Sequence, residues 1–175
     1  MAGEHLEVRA RRVVVGLNDD GRSAIVSDGL TETRVATPAF TDNQIWQATS
    51  VPTPVMADNT LGDKAVITQP PNGYTYVITT FPPDKEWDYE ADYAKALADL
   101  GVPDSDIDAA HPGMHQTDTV DIVTVISGEI WAVVETGETL MKPGDTIVHR
   151  GTKHAWRNRG DSPCVIAAAH VSVVR

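Results

Sequence analysis

The chain has 175 residues, with 14 Lys+Arg against 25 Asp+Glu and a formal net charge of -11. Such a balance repels phosphate backbones and anionic lipid surfaces, so neither nucleic acid nor membrane is expected as a partner. No stretch approaches the roughly 20 apolar residues of a membrane span and Met1–His5 opens no signal-peptide core, so a cytoplasmic location and a single domain over residues 1–175 are expected.

Arg12-Val13-Val14-Val15-Gly16 and Ala24-Ile25-Val26 are β-branched runs around Asn18-Asp19-Asp20-Gly21, a pattern that predicts an N-terminal hairpin. From Thr31 to Gly62 apolar periodicity fades and Pro38, Pro52 and Pro54 intervene. Only short strands, for example around Ile45-Trp46, are expected there, on the surface. These parts form an arm over residues 1–60.

Within residues 61–110, Pro70-Pro71-Asn72-Gly73 is turn chemistry and Tyr74–Phe81 is rich in aromatic and β-branched residues, which predicts a strand that Pro82-Pro83 stops. Tyr89, Tyr93, Leu97 and Leu100 recur at three- and four-residue steps before Gly101. A short helix from Asp88 to Leu100 follows, as a lid or as a packed insertion.

From His115 to Val174 the chain is strand material with turn signals at Ser127-Gly128-Glu129, Thr136-Gly137-Glu138, Pro143-Gly144-Asp145, Arg150-Gly151 and Arg159-Gly160. Short strands at this spacing predict an all-β sandwich or barrel. The single cysteine, Cys164, lies in an apolar run and is expected in the core.

Candidate chemistry gathers in residues 111–175. An unbroken strand would carry His115 and Asp121 on one face but about 20 Å apart, six residues at ~3.3 Å each. Sharing a ligand therefore requires a bend around Asp118–Val120, so that Asp121 opens a neighbouring antiparallel strand opposite His115. His154 begins a further strand and is the third candidate. His111, beside Pro112-Gly113, is either a solvated loop residue or an acid–base group at a barrel mouth.

Gly113-Met114-His115-Gln116-Thr117-Asp118-Thr119-Val120-Asp121, followed by Gly128, resembles the first cupin motif, and Pro143-Gly144-Asp145 through His154 and Asn158 resembles the second. The whole is similar to a subfamily of small bacterial and fungal cupins, some encoded with aromatic polyketide pathways. The resemblance implies a single jelly-roll barrel with an N-terminal hairpin arm and a short helical insertion, and a homodimer. It also implies one divalent transition metal ion (Fe, Zn or Mn) on His115, Asp121 and His154, a two-imidazole, one-carboxylate set.

Two departures stand out: Thr117 occupies a position usually held by histidine, and His149 one commonly held by proline. Thr117 is therefore read as a substrate hydrogen-bond donor or outer-sphere group, with Trp156 as a pocket wall or core residue and Trp131 as core. His5, His149 and His170 have no partner that the sequence names. Arg150, Arg157 and Arg159 form either an anion patch or a salt-bridged surface. The expected function is a metal-dependent lyase or isomerase acting on a small oxygenated molecule, with His111 and Thr117 as catalytic candidates. A non-haem iron dioxygenase and a non-catalytic small-ligand module are the alternatives.

Overall fold

The computed structural model describes residues 3–108 and 110–174. Strands β1 (Arg11–Leu17) and β2 (Ser23–Leu30) pair antiparallel as a two-stranded ribbon, apart from the other sheets. The expected turn closes it: Asn18 Oδ1 accepts from the backbone N–H groups of Asp20 and Arg22, and Gly21 takes φ 71°.

The larger sheet has six strands: β3 (Arg34–Ala36), β4 (Thr41–Ala48), β5 (Tyr74–Phe81), β6 (Thr119–Ser127), β9 (Thr146–Arg150) and β11 (Cys164–Ser172), in the order β3-β4-β5-β11-β6-β9. The smaller has β7 (Ile130–Val134), β8 (Gly137–Met141) and β10 (His154–Arg157), in the order β10-β7-β8. All strand pairings among the described residues are antiparallel, and the two sheets share one core. Val77, Val123, Val125, Ile166 and Ala168 of the larger sheet pack with Ile130, Ala132 and Trp156 of the smaller. This is the all-β architecture with hairpin arm and helix that the sequence predicts.

Two expectations need correction. The region 31–62 is not merely surface, because β4 is a buried inner strand between β3 and β5. Its periodicity was hidden because its buried side chains are polar. Asp42 and Gln44 face inward, while on the other side the Thr41 hydroxyl donates to the His5 carbonyl and Asn43 Nδ2 to Val8. His5 itself is buried, with Nε2 on the Thr37 carbonyl. Trp131 is not core: it has the opposite parity to buried Ile130 and Ala132, and the Arg159 guanidinium lies 4.9 Å from its ring centroid.

Helix α1 (Tyr89–Asp99) matches the predicted span. The Asp88 carboxylate caps it by accepting from Ala91 N at 3.1 Å, a contact that typically contributes about 1 kcal/mol. It ends in a Schellman turn: Gly101 N–H reaches Ala98 O at 2.9 Å and Val102 N–H reaches Leu97 O at 3.0 Å, with Gly101 at φ 82°. Tyr89, Tyr93, Ala96 and Leu97 form its buried stripe. The helix is packed into the core as part of a cavity wall.

Candidate metal centre

Cross-strand register sets out the interior. His149 on β9 stands opposite Asp121 on β6, Asp121 opposite His170 on β11, His170 opposite Thr75 on β5, and Thr75 opposite Gln47 on β4. A polar row thus crosses five strands, and the next inward row carries Val77, Ala168, Val123 and Ile147. Alternation along β11 gives His170 the parity of the core residues Cys164, Ile166 and Ala168. That parity is the signal that could have placed His170 inside.

His115 does not pair with the strand of Asp121. It forms an isolated bridge with His154, each backbone N–H donating to the other's carbonyl at 3.0 and 2.9 Å. The chain bends at Asp118, as the shared-ligand reading demands. It changes sheets there instead of reversing, so Asp121 comes from the larger sheet and the two histidines from the seam of the smaller. Sequence spacing cannot distinguish these routes.

The tautomers of both histidines follow from their neighbours. His115 Nδ1 lies 2.8 Å from the Gly113 carbonyl and His154 Nδ1 3.0 Å from the Thr152 carbonyl. A carbonyl only accepts, so each Nδ1 carries the proton and each neutral ring keeps its lone pair on Nε2. Burial pushes the His115 pKa below its ordinary value. It pushes that of His154 well below, with His115 and His149 alongside adding to the effect. Both rings are therefore neutral near pH 7, and their centroids are 4.6 Å apart.

Gly113 is required where it stands. Its φ is 84°, and a Cβ there would lie 2.3 Å from Tyr93 Cδ1 and 2.6 Å from Tyr89 Oη. The carbonyl that orients His115 is thus held under the tyrosines of α1.

Asp121 accepts from His170, Nδ1 to Oδ1 at 2.7 Å. Burial works against the carboxylate, but the His170 hydrogen bond and charge hold its pKa below the ordinary value. Burial likewise opposes the imidazolium, yet Asp121 raises the His170 pKa. His149 stacks on His154 with centroids 4.0 Å apart and planes at 16°. Lone pairs in near-parallel planes do not converge on one point, so His149 buttresses His154 in this arrangement. Its buried Nε2 has no hydrogen-bond partner among the described residues, and burial lowers its pKa.

A cavity of roughly 60 Å³ is lined by His115, Thr117, Asp121, His154, Trp156 and His170 among others, space for about four to six waters. Val77, Phe81, Val123, Tyr93 and Leu97 form its apolar walls, and Asp42 and Gln44 face it from β4. Burial raises the Asp42 pKa, against the pull of the Thr79 hydroxyl at 2.6 Å, the charge of His170 and the Gln44 amide. The Thr117 hydroxyl lies 2.6 Å from that of Thr119, and Trp156 meets His154 edge-on at 6.1 Å. Five of the six sequence candidates therefore border one cavity.

His111 is the exception: its side chain is 72% exposed beside Asp108, outside the cavity lining, as the solvated-loop alternative has it. The two-residue Pro112-Gly113 turn carries it outward while the chain dives to His115. Arg157 pairs with Asp84 at 2.5 Å and Arg159 with Glu138 at 2.7 Å, so these cations fit the salt-bridged surface better than an anion patch. His149, His170, Asp42 and Gln44 are cavity or near-cavity groups that sequence reasoning did not assign.

The donor chemistry fits a divalent metal in part. Two Nε2 lone pairs are directed by carbonyls, and one carboxylate has an oxygen, Oδ2, not engaged by His170. Among the described residues, however, no three His, Cys, Asp or Glu side chains already converge as a ligand set.

Comparison with known proteins places the motif region. Residues 106–173 match the model of the Cupin_2 family, described as a cupin domain. The oryzines biosynthesis cluster protein J of Aspergillus oryzae is 55% identical over 53 residues, covering 27% of this chain and 30% of that protein. A cupin-domain-containing oxidoreductase of Neurospora crassa is 35% identical over 81 residues, 41% of each chain. The chain thus spans less than half the length of these relatives. A solved Cupin 2 conserved barrel domain protein from Salinispora arenicola is 12% identical with a TM-score of 0.42, covering 77% of this chain and 76% of that one.

Proposed function

Because residues 106–173 match the cupin-domain family model, we propose that this protein is a metal-dependent enzyme acting on a small oxygenated organic molecule, by a lyase or isomerase reaction. The observation that carries the reading is the pair of carbonyl-oriented imidazoles, His115 and His154, presenting Nε2 lone pairs beside Asp121 in one largely apolar cavity. These three residues would hold the ion, iron, zinc or manganese. It would supply Lewis-acid polarisation of a substrate oxygen.

The remaining roles belong to the chain. Gly113 and Thr152 hold the imidazoles in one tautomer by accepting from Nδ1. His170 fixes the Asp121 carboxylate through Oδ1 and keeps it ionised. Trp156, Phe81 and Val123 exclude bulk water, which strengthens charge interactions within the cavity. The Thr117 hydroxyl is the hydrogen-bonding group beside the ligand set, and His111, being outside the cavity, is left without a catalytic role.

A second reading, oxygen-dependent oxidation at an iron centre, is favoured by one observation: the Neurospora crassa relative is named an oxidoreductase. Biosynthetic-cluster relatives favour a small-molecule substrate under either reading. A homodimer belongs to the same proposal, since a two-stranded ribbon is marginal alone and Val15 and Ile25 on β1 and β2 are 65% and 66% exposed.

The test is elemental analysis of tag-free protein beside His115→Ala, Asp121→Ala and His154→Ala, with oxygen uptake measured on small phenols and diketones. Near-stoichiometric metal lost in all three variants supports the site, and oxygen uptake then selects the oxidative reading. An empty wild type after reconstitution overturns both and leaves a metal-free binding module.

A further inference from the structure

The wall facing the cavity from β4 and from the segment 65–69 has an unbalanced set of polar groups. Gln44 is 1% exposed, and its Nε2 donates to the Val66 carbonyl at 2.6 Å. Gln69 Nε2 donates to the Ile67 carbonyl at 2.7 Å. Because a carbonyl only accepts, both amide orientations are fixed with nitrogen on the backbone and oxygen elsewhere. The Oε1 atoms of both glutamines are buried and find no hydrogen-bond partner among the described residues, and both residues line the cavity.

Buried acceptors without partners are costly, and a native interior normally satisfies them. Here the carrying segment is also tied down: Ile67 N–H donates to Leu100 O at 2.8 Å and the Thr68 hydroxyl to Gly101 O at 3.1 Å, so residues 67 and 68 are moored to the end of α1. The two oxygens are thus held at one wall while the histidines and Asp121 occupy another part of the same lining.

We propose that Gln44 and Gln69 are specificity residues that select a molecule carrying hydrogen-bond donors, hydroxyl or N–H, on the part turned away from the histidines. The proposal rests on the metal-centre reading above and narrows its substrate class to hydroxylated or N–H-bearing molecules, excluding ethers and plain alkyl chains. A site built to accept a hydrogen bond rejects an analogue that lacks the donor, because the acceptor is then buried unpaired.

The experiment measures binding of 3-hydroxypropanoate and of butanoate, in which methyl replaces hydroxyl, by ligand-observed NMR titration of metal-analysed protein. Gln44→Met and Gln69→Met, which keep length and remove the acceptor, are titrated alongside. Gln69 lies on the half-buried segment, so Gln69→Met gives a readout even if Gln44→Met fails to fold. The wild type is expected to prefer the hydroxylated probe, by about two- to tenfold per acceptor engaged. Each variant should lose preference through weaker 3-hydroxypropanoate binding, with butanoate affinity and metal content unchanged. Equal binding of the two probes, retained preference in both variants, or binding of neither probe overturns the proposal. Metal content in the same samples separates these outcomes from failure of the metal centre, which would show as empty protein.

Discussion

Replacing Gly113 by Ala adds one carbon at the point where α1 rests on the site. Two separable costs follow. A non-glycine residue at φ 84° loses roughly 1–2 kcal/mol from backbone conformation. The new Cβ would also stand 2.3 Å from Tyr93 Cδ1 and 2.4 Å from Cε1, and overpacking of a tight interior typically adds about 1–3 kcal/mol. The total, about 2–5 kcal/mol, is a large part of the stability of a domain and lowers Tm by roughly 4–20 °C at this size. Two other glycines separate the contributions. Gly144 has φ 91° with nothing within 4 Å of a Cβ, and Gly137 has neither a positive φ nor a neighbour. Thermal unfolding by circular dichroism should rank Gly137→Ala near wild type, Gly144→Ala lower by the backbone cost alone, and Gly113→Ala lowest. Equal losses for Gly113→Ala and Gly144→Ala would refute the packing argument, since only the first introduces a clash.

Acid should weaken the metal-free fold through its neutral histidines. The pKa of His154 is lower folded than unfolded, so below pH ~6.5 the unfolded chain binds a proton that the native state refuses. Between pH 7.5 and 5.5 this removes up to about 1.4 kcal/mol, whereas the raised His170 works the other way and loses its contribution as pH rises through its folded value. Urea midpoints at the two pH values should therefore converge in His154→Gln compared with wild type; an unchanged gap counts against a buried neutral imidazole. Cys164 is fully buried and burial raises its thiol pKa to about 12, so it should react with a thiol reagent only after unfolding. Stoichiometric reaction of native protein within minutes would contradict that placement.

What the sequence disclosed depended on whether inward-facing residues were apolar. The hairpin, β5, α1 and the late strands announce themselves because Val, Tyr and Leu recur at strand or helix periods. β4 does not, since Asp42, Gln44 and Gln47 face inward and erase the alternation. The motif candidates His115, Asp121 and His154 stood out by spacing and resemblance. Parity along β11 turns His170 inward, but register alone makes His149 and His170 the cross-strand neighbours of Asp121 on β9 and β11. No local pattern brings together residues 121, 149 and 170. A tryptophan in a strand-like run suggests core, whereas parity opposite to that of buried Ile130 turns Trp131 outward to Arg159.

The bridge between His115 and His154 has a kinetic meaning. Around it, the segment from Ile107 to Asp118 is tied by short contacts: Ile107 to His115, His115 to His154, Asp108 N–H to Met114 O and Gln116 N–H to Asp106 O. The six-stranded sheet behind it is held by continuous ladders. Local opening therefore needs far less free energy at this segment than at β6 or β11. Were the cavity to exchange its contents through that excursion, the exchange rate and the lifetime of the fold would be set by different parts of the chain, and one could be retuned with little change in the other.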